Sequence, residues 1–298
     1  NRIYYEYFYF SKLSKQLKPD VWFSLHDVTP NVEAKKRFVY CHHPTVFYKS
    51  TFNDWRFDYK IGVFSLLYKY LFQINIKKNE AVFVQQHWIK KEFEKLFNIN
   101  NVVVSKPEFT EEIVTTKVDL DTTKTHFMYP SFPRSFKNFE VILDAIPYLS
   151  EEIKNKVQFH FTTVKDTKTK YAKFLLQKYG NLSQVNFMEE ISRKELLSYY
   201  NSIDCLLFPS KIETWGLPIS EAKSYNKPIL VANLSYAKET VGNYENVSFF
   251  DESNPKELAD LITKFVTNKI EFQGNIDSYK NEDSLNDWNE VFEYIFKE

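Results

Sequence analysis

The sequence predicts an α/β protein with two parallel-sheet domains, on three observations. Ten short apolar runs alternate with longer amphipathic stretches, the pattern of βαβ units. Several runs, such as Cys205-Leu206-Leu207-Phe208, are apolar on both faces, as buried parallel strands are. A polar stretch rich in Thr and charge, around Ser105–Thr125, divides the runs into two series. A length of 298 residues also fits about two domains.

The first series opens with an amphipathic helix, Ile3–Leu17. The apolar runs Val21–Leu25 and Phe38–Cys41 then read as strands. A helix over Ile61–Phe72 leads to strand Ala81–Val84, and a helix over Trp88–Phe97 to strand Val102–Val104. In the second series, strand His126–Tyr129 is followed by helix Asn138–Ile146. Strand Val157–Thr162 and helix Lys170–Tyr179 come next, then strand Val185–Phe187 and helix Arg193–Asn201. Strand Cys205–Phe208 precedes helix Pro218–Tyr225. Strand Ile229–Val231, helix Ser235–Val241, strand Val247–Phe250 and helix Pro255–Val266 follow, and Leu285–Phe296 forms a last helix. The expected domains are 1–108 with the returning segment 282–298, a linker over 109–124, and 125–281. Ligands of such sheets sit beyond the carboxyl ends of the strands, in a cleft.

Composition narrows the function. Basic and acidic residues number 39 each, which argues against a broad electrostatic grip on nucleic acid. Two distant cysteines, Cys41 and Cys205, form no disulfide framework and favour a reducing, cytoplasmic setting. No apolar run is long enough to span a bilayer. The aromatic start Tyr4–Phe10 and the lysines near it extend the expectation to peripheral contact with a membrane face. P-loop, dinucleotide-binding and HExxH motifs are absent. Asp119-Leu120-Asp121 is a D-x-D pair, but it lies in the polar linker rather than after a core strand, so no metal site is expected.

The stretch Phe208–Ala222, with Glu213-Thr214-Trp215-Gly216-Leu217-Pro218 and Glu221, leaves a buried strand and opens a helix. Pro218 suits the first helical position, where a missing N–H costs nothing. Gly216 permits a tight turn or close approach to a ligand. No capping side chain precedes Pro218, which leaves the helix N-terminus open to an anion. Glu213 and Glu221 can both look into the strand-end crevice, where carboxylates accept from sugar hydroxyls. Arg134 and Lys137, in a second strand-end loop, suit a pyrophosphate. His42 and His43 follow a strand and are candidates for sugar or acceptor contact.

Glu-Thr-Trp-Gly-Leu-Pro-Ile-Ser-Glu-Ala over 213–222 resembles the E-x7-E signature of retaining glycosyltransferases of the GT-B fold, family 4 (glycosyl transferases group 1). Thr214 and Trp215 depart from the usual Gly and Phe. Lys137-Asn138 resembles the family's basic pair, and Lys18–Asp27, Tyr40–Pro44 and Val84–Trp88 resemble the acceptor-side domain of bacterial polysaccharide-type members. The resemblance implies two Rossmann-like domains facing a cleft. It also implies a nucleotide-diphosphate sugar donor, a saccharide or lipid-linked acceptor, and no metal. It gives Glu213 the donor sugar, Glu221 the nucleotide ribose, 214–218 the diphosphate, and Arg134 and Lys137 the leaving charge. Family members begin with a strand and Gly-rich loop that this chain is expected to lack. Two further readings stand beside transfer: a nucleotide-sugar-binding fragment without activity, and a GT-B epimerase. A glycosidase is disfavoured, because a helix N-terminus makes Glu221 a poor acid.

Overall fold

A computed structural model describes residues 2–165 and 167–297. The chain divides into two compact units. The first comprises Asn1–Ser50, Lys60–Glu108 and Tyr279–Glu298, and the second Thr51–Tyr59 and Phe109–Ser278.

The first unit holds a four-stranded parallel sheet in sequential order: β1 (Val21–Ser24), β2 (Lys36–Cys41), β3 (Ala81–Val84) and β4 (Val102–Val104). Side chains alternate across it, so each face needs its own cover. Val39, Val82 and Val84 face Tyr68, Phe72 and Phe93 of the helices Tyr59–Gln73 and His87–Phe97. Phe38, Tyr40 and Phe83 face Val291 and Ile295 of the closing helix Trp288–Phe296.

Two local expectations change here. The opening helix is interrupted by a π-turn, Tyr5–Tyr9, between helical Arg2–Tyr4 and Phe10–Leu17. Its wider turn brings the rings of Tyr5 and Phe10 within 6.3 Å. The last helix begins at Trp288 rather than Leu285, because Asp287 caps it by accepting from the Glu290 N–H at 2.9 Å. Leu285 instead bridges to Ser105 beside β4.

The second unit holds six parallel strands: β5 (Thr125–Tyr129), β6 (Val157–Phe161), β7 (Val185–Phe187), β8 (Cys205–Phe208), β9 (Ile229–Ala232) and β10 (Val247–Phe250). Their order is β10-β9-β8-β5-β6-β7. The chain winds outward from β5 through β6 and β7, then returns to place β8 on the other side of β5 and winds the opposite way. The loops after β5 and β8 therefore diverge at a topological switch point, where open parallel sheets form a crevice.

Segment 109–124 lacks regular structure but does not hang free. Ser198 and Ser202 of helix Arg193–Ser202 bond to Thr116 Oγ1 and the Val118 N–H, both at 2.7 Å. The Tyr225 hydroxyl accepts from the Val114 N–H at 2.9 Å. Two of these bonds satisfy backbone N–H groups that helix or sheet would otherwise have paired, and together they tie the expected linker to the second unit. Thr51–Tyr59 also joins this unit. Its short helix Phe52–Phe57 carries buried Asp54, which accepts a bond from the Ser135 hydroxyl.

Candidate functional site

The loop after β5 runs through Arg134 into a 3-10 turn, Ser135–Lys137, and reverses at Asn138, whose φ is 58°. Asn tolerates this left-handed conformation better than most residues. The Asn138 amide also ties the turn to its surroundings, donating to the carbonyls of Pro209 (3.3 Å) and Glu252 (2.8 Å). Tyr129, at the end of β5, donates to the Lys137 carbonyl at 2.9 Å. The loop after β8 is held by Tyr236, which donates to the Ser210 carbonyl at 2.6 Å, and by the Lys211 N–H, which donates to Phe136 at 2.9 Å. The two loops are thus fastened to one another and to the core.

Across this junction Lys137 Nζ lies 2.5 Å from Glu213 Oε1, with both side chains largely buried. Burial raises the phenols of Tyr129 and Tyr236 well above the ordinary range, and the Glu213 charge adds to both shifts. They remain neutral hydrogen-bond donors that fix the loops.

Gly216 is the N-cap of helix Leu217–Ser224, with φ +90°. An added Cβ would also come within 3.3 Å of the Ile219 side chain and 3.4 Å of Phe208. Only glycine meets this position without strain. Pro218 occupies the second helical position, one later than expected, because Leu217 already has helical geometry. No side chain caps the helix. Pro218 brings no N–H, and the Ile219 N–H closes on the Gly216 carbonyl at 2.9 Å. The helix dipole and the Leu217 N–H are what this turn offers an anion. Trp215 folds back, its indole N–H donating to Ser220 Oγ at 3.0 Å, while Thr240 donates to its carbonyl. Thr214 is half-buried.

Glu221 is 7% exposed and is paired with Arg193, whose guanidinium also approaches Glu112 at 3.7 Å. Arg193 was not singled out from the sequence. Its only signal was its place at the start of the helix after β7, where no local pattern announces a partner 28 residues away. Replacing Arg193 with Met should leave the Glu221 carboxylate buried and unpaired. The guanidinium is partly exposed, so the expected loss is modest, about 1–2 kcal/mol of stability. Urea unfolding checks this, and adding Glu221→Gln should recover part of the loss.

Arg134 is exposed, with its guanidinium over the Phe132 ring at 5.7 Å; among the described residues it forms no ion pair. His42 and His43 belong to the first unit. His42 stacks on Tyr40 with ring centroids 4.4 Å apart, and its backbone N–H donates to Asp27 at 2.6 Å. Partial burial lowers its imidazole below the usual range. His43 Nδ1 lies 3.0 Å from Thr45 Oγ1. The second unit thus brings Lys137 to Glu213, and Arg193 to Glu221, around an uncapped helix N-terminus. Asp121 bonds to Thr123 within its own turn. Among the described residues no group of three or more His, Cys, Asp or Glu comes together to hold a metal.

The family described as "Glycosyl transferases group 1" matches residues 109–283. An uncharacterized glycosyltransferase of Methanocaldococcus jannaschii is 21% identical over 206 residues, covering 67% of this chain and 54% of its own. The O-antigen chain mannosyltransferase RfbU of Salmonella typhimurium is 24% identical over 216 residues, covering 66% and 57%. The chain therefore spans little more than half the length of these relatives. Among solved structures, TarM superposes with a TM-score of 0.61 at 18% identity, covering 87% of this chain and 51% of TarM. A point mutant of S. aureus TarM, in complex with Fondaparinux, α-GlcNAc-glycerol and UDP, gives 0.57 at 17%, covering 81% and 45%. These likenesses show the GT-B fold. With the family match spanning more than half its residues, this chain belongs to the glycosyl transferases group 1 family.

Proposed function

We propose that this chain transfers a sugar from a nucleotide-diphosphate sugar to a saccharide or lipid-linked saccharide acceptor, with retention and without a metal ion. The observation that carries the reading is the convergence of Lys137, Glu213 and the uncapped Gly216–Leu217 turn at the switch point between β5 and β8. The UDP in the TarM complex favours a uridine nucleotide, and RfbU favours polysaccharide assembly.

The roles follow from the chemistry. The bond from the sugar C1 to the diphosphate breaks as charge builds on the leaving oxygens. Lys137, Arg134 and the Leu217 N–H stabilise that charge. The acceptor oxygen bonds to C1 on the same face, and its proton passes to the departing diphosphate. Glu221, held by Arg193, accepts from the ribose hydroxyls, and Glu213 orients the sugar. Diphosphate arrival draws Lys137 from Glu213, which frees that carboxylate for sugar hydroxyls. Thr214, Trp215 and Pro218 shape the backbone that lies against the donor.

A thermal-shift series with UDP, GDP, CDP, dTDP and ADP, with and without EDTA, tests this. At about 100 times its dissociation constant a ligand adds about 2.7 kcal/mol, which raises the midpoint by about 5–10 °C for a unit of this size. UDP should give that shift and EDTA should leave it intact. No shift with any diphosphate would refute the donor site, and a shift abolished by EDTA would refute metal independence.

A further inference from the structure

Helix Tyr59–Gln73 is apolar on two opposite sides. One side, with Ile61, Tyr68 and Phe72, is buried, and Tyr68 and Phe72 pack into the core of the first sheet. At 100° per residue, Val63, Leu66, Leu67 and Tyr70 fall on a single arc roughly opposite. They are 36%, 56%, 55% and 57% exposed, and Ile74, just beyond the helix, continues the arc at 41%. A contiguous outward apolar stripe of this kind marks an interaction surface rather than scattered surface residues.

The charges around the stripe say what covers it. From Tyr59 to Lys78 the chain has four lysines (Lys60, Lys69, Lys77 and Lys78) and no acid, in a protein whose net charge is zero. Lys60 and Lys69 fall beyond opposite edges of the arc, and the Lys69 ammonium lies over the Tyr70 ring at 5.0 Å. Beside the stripe, Lys49, Lys69 and Lys95 with a single glutamate, Glu92, line a 660 Å³ groove to which Leu66 and Leu96 also contribute. A second copy of the chain would bring like charges together about a twofold axis, which is unfavourable. A surface that is apolar below and anionic above suits both features.

We propose that the outward side of helix Tyr59–Gln73 is the surface by which this chain rests on an anionic lipid bilayer. Val63, Leu66, Leu67 and Tyr70 enter the boundary between headgroups and acyl chains. The four lysines lie on acidic headgroups, their stems along the apolar stripe. The surface lies within the first unit and does not depend on the donor-site reading.

The test is co-sedimentation of the full chain with vesicles of phosphatidylcholine containing about one-third phosphatidylglycerol, and with phosphatidylcholine alone, at about 0.1 M and about 0.5 M salt. Binding should require the anionic lipid and weaken with salt. Leu66→Ser/Leu67→Ser/Tyr70→Ser and Lys60→Gln/Lys69→Gln/Lys77→Gln/Lys78→Gln should each reduce partitioning by about tenfold or more, with the thermal midpoint and any nucleotide shift unchanged. Absence of binding, or binding that survives either variant, overturns the proposal. So does a concentration-dependent dimer that the serine variant dissolves while vesicles recover no protein. Lipid binding that persists when no nucleotide shifts the midpoint would count against the donor site alone.

Discussion

Replacing Lys137 with alanine is expected to lower transfer by about 10²–10³-fold, the effect of removing one preorganised donor to a developing oxyanion. The expectation rests on how firmly this lysine is held. Its backbone carbonyl accepts from Tyr129, the next residue reverses in a left-handed turn, and its ammonium sits 2.5 Å from Glu213. To meet a diphosphate, this ammonium must leave its ion pair with Glu213. The loss exceeds a missing cation, because Glu213 would keep its negative charge beside an anionic donor. Lys137→Ala/Glu213→Gln should therefore recover nucleotide affinity without recovering transfer. Initial rates with a radiolabelled UDP-sugar, alongside UDP thermal shifts, separate the two. If Lys137→Ala keeps transfer within about threefold of the parent, the lysine is structural and its assignment fails.

Acid should weaken the second unit through a pair of histidines unrelated to the site. His126 Nδ1 and His160 Nε2 lie 2.9 Å apart across β5 and β6, both buried. His126 Nε2 faces the Asp121 carbonyl at 2.9 Å, and His160 Nδ1 faces the Asn186 amide at 3.2 Å. One arrangement satisfies every partner. Asn186 donates to His160, His160 donates to His126, and His126 donates to Asp121. A further proton placed between the two rings would set two N–H groups against each other. Burial, assisted by the His126 charge, lowers His160 from 6.5 to about 4. Between those values the unfolded chain binds a proton that the folded chain refuses, so stability rises with pH there and is fully present above about 6.5. The slope approaches 1.36 kcal/mol per unit below pH 6, and about 1.5 kcal/mol is lost on going from pH 6.5 to pH 5. Urea midpoints across that window should show the slope, and His160→Gln should flatten it. An unchanged slope in the variant would assign the effect to other groups.

Much of this was readable along the chain. The ten strands lie close to where the apolar runs put them, since a run apolar on both faces has few other places to go. Gly216 stands out among five glycines, and its φ of +90° is the conformation that a tight turn into an uncapped helix asks for. Features that rest on capping or on satisfying stray backbone groups were not readable. Asp287 starts its helix three residues late, and the side chains of Ser198, Ser202 and Tyr225 hold segment 109–124 that composition marks as a linker.

The sequence by itself determined the α/β class, the loops that carry the charged residues, and the resemblance at 213–222. Periodicity and backbone permissiveness are local properties, legible within a few residues. Only the tertiary structure decided that β8 returns beside β5, which brings Lys137 to Glu213 across 76 residues. It also gave Glu221 its arginine and His126 its histidine, across 28 and 34 residues. A strand's pattern says that it pairs and is buried. Which strand it pairs with, and which charges meet at its end, follows from the packing of the whole sheet.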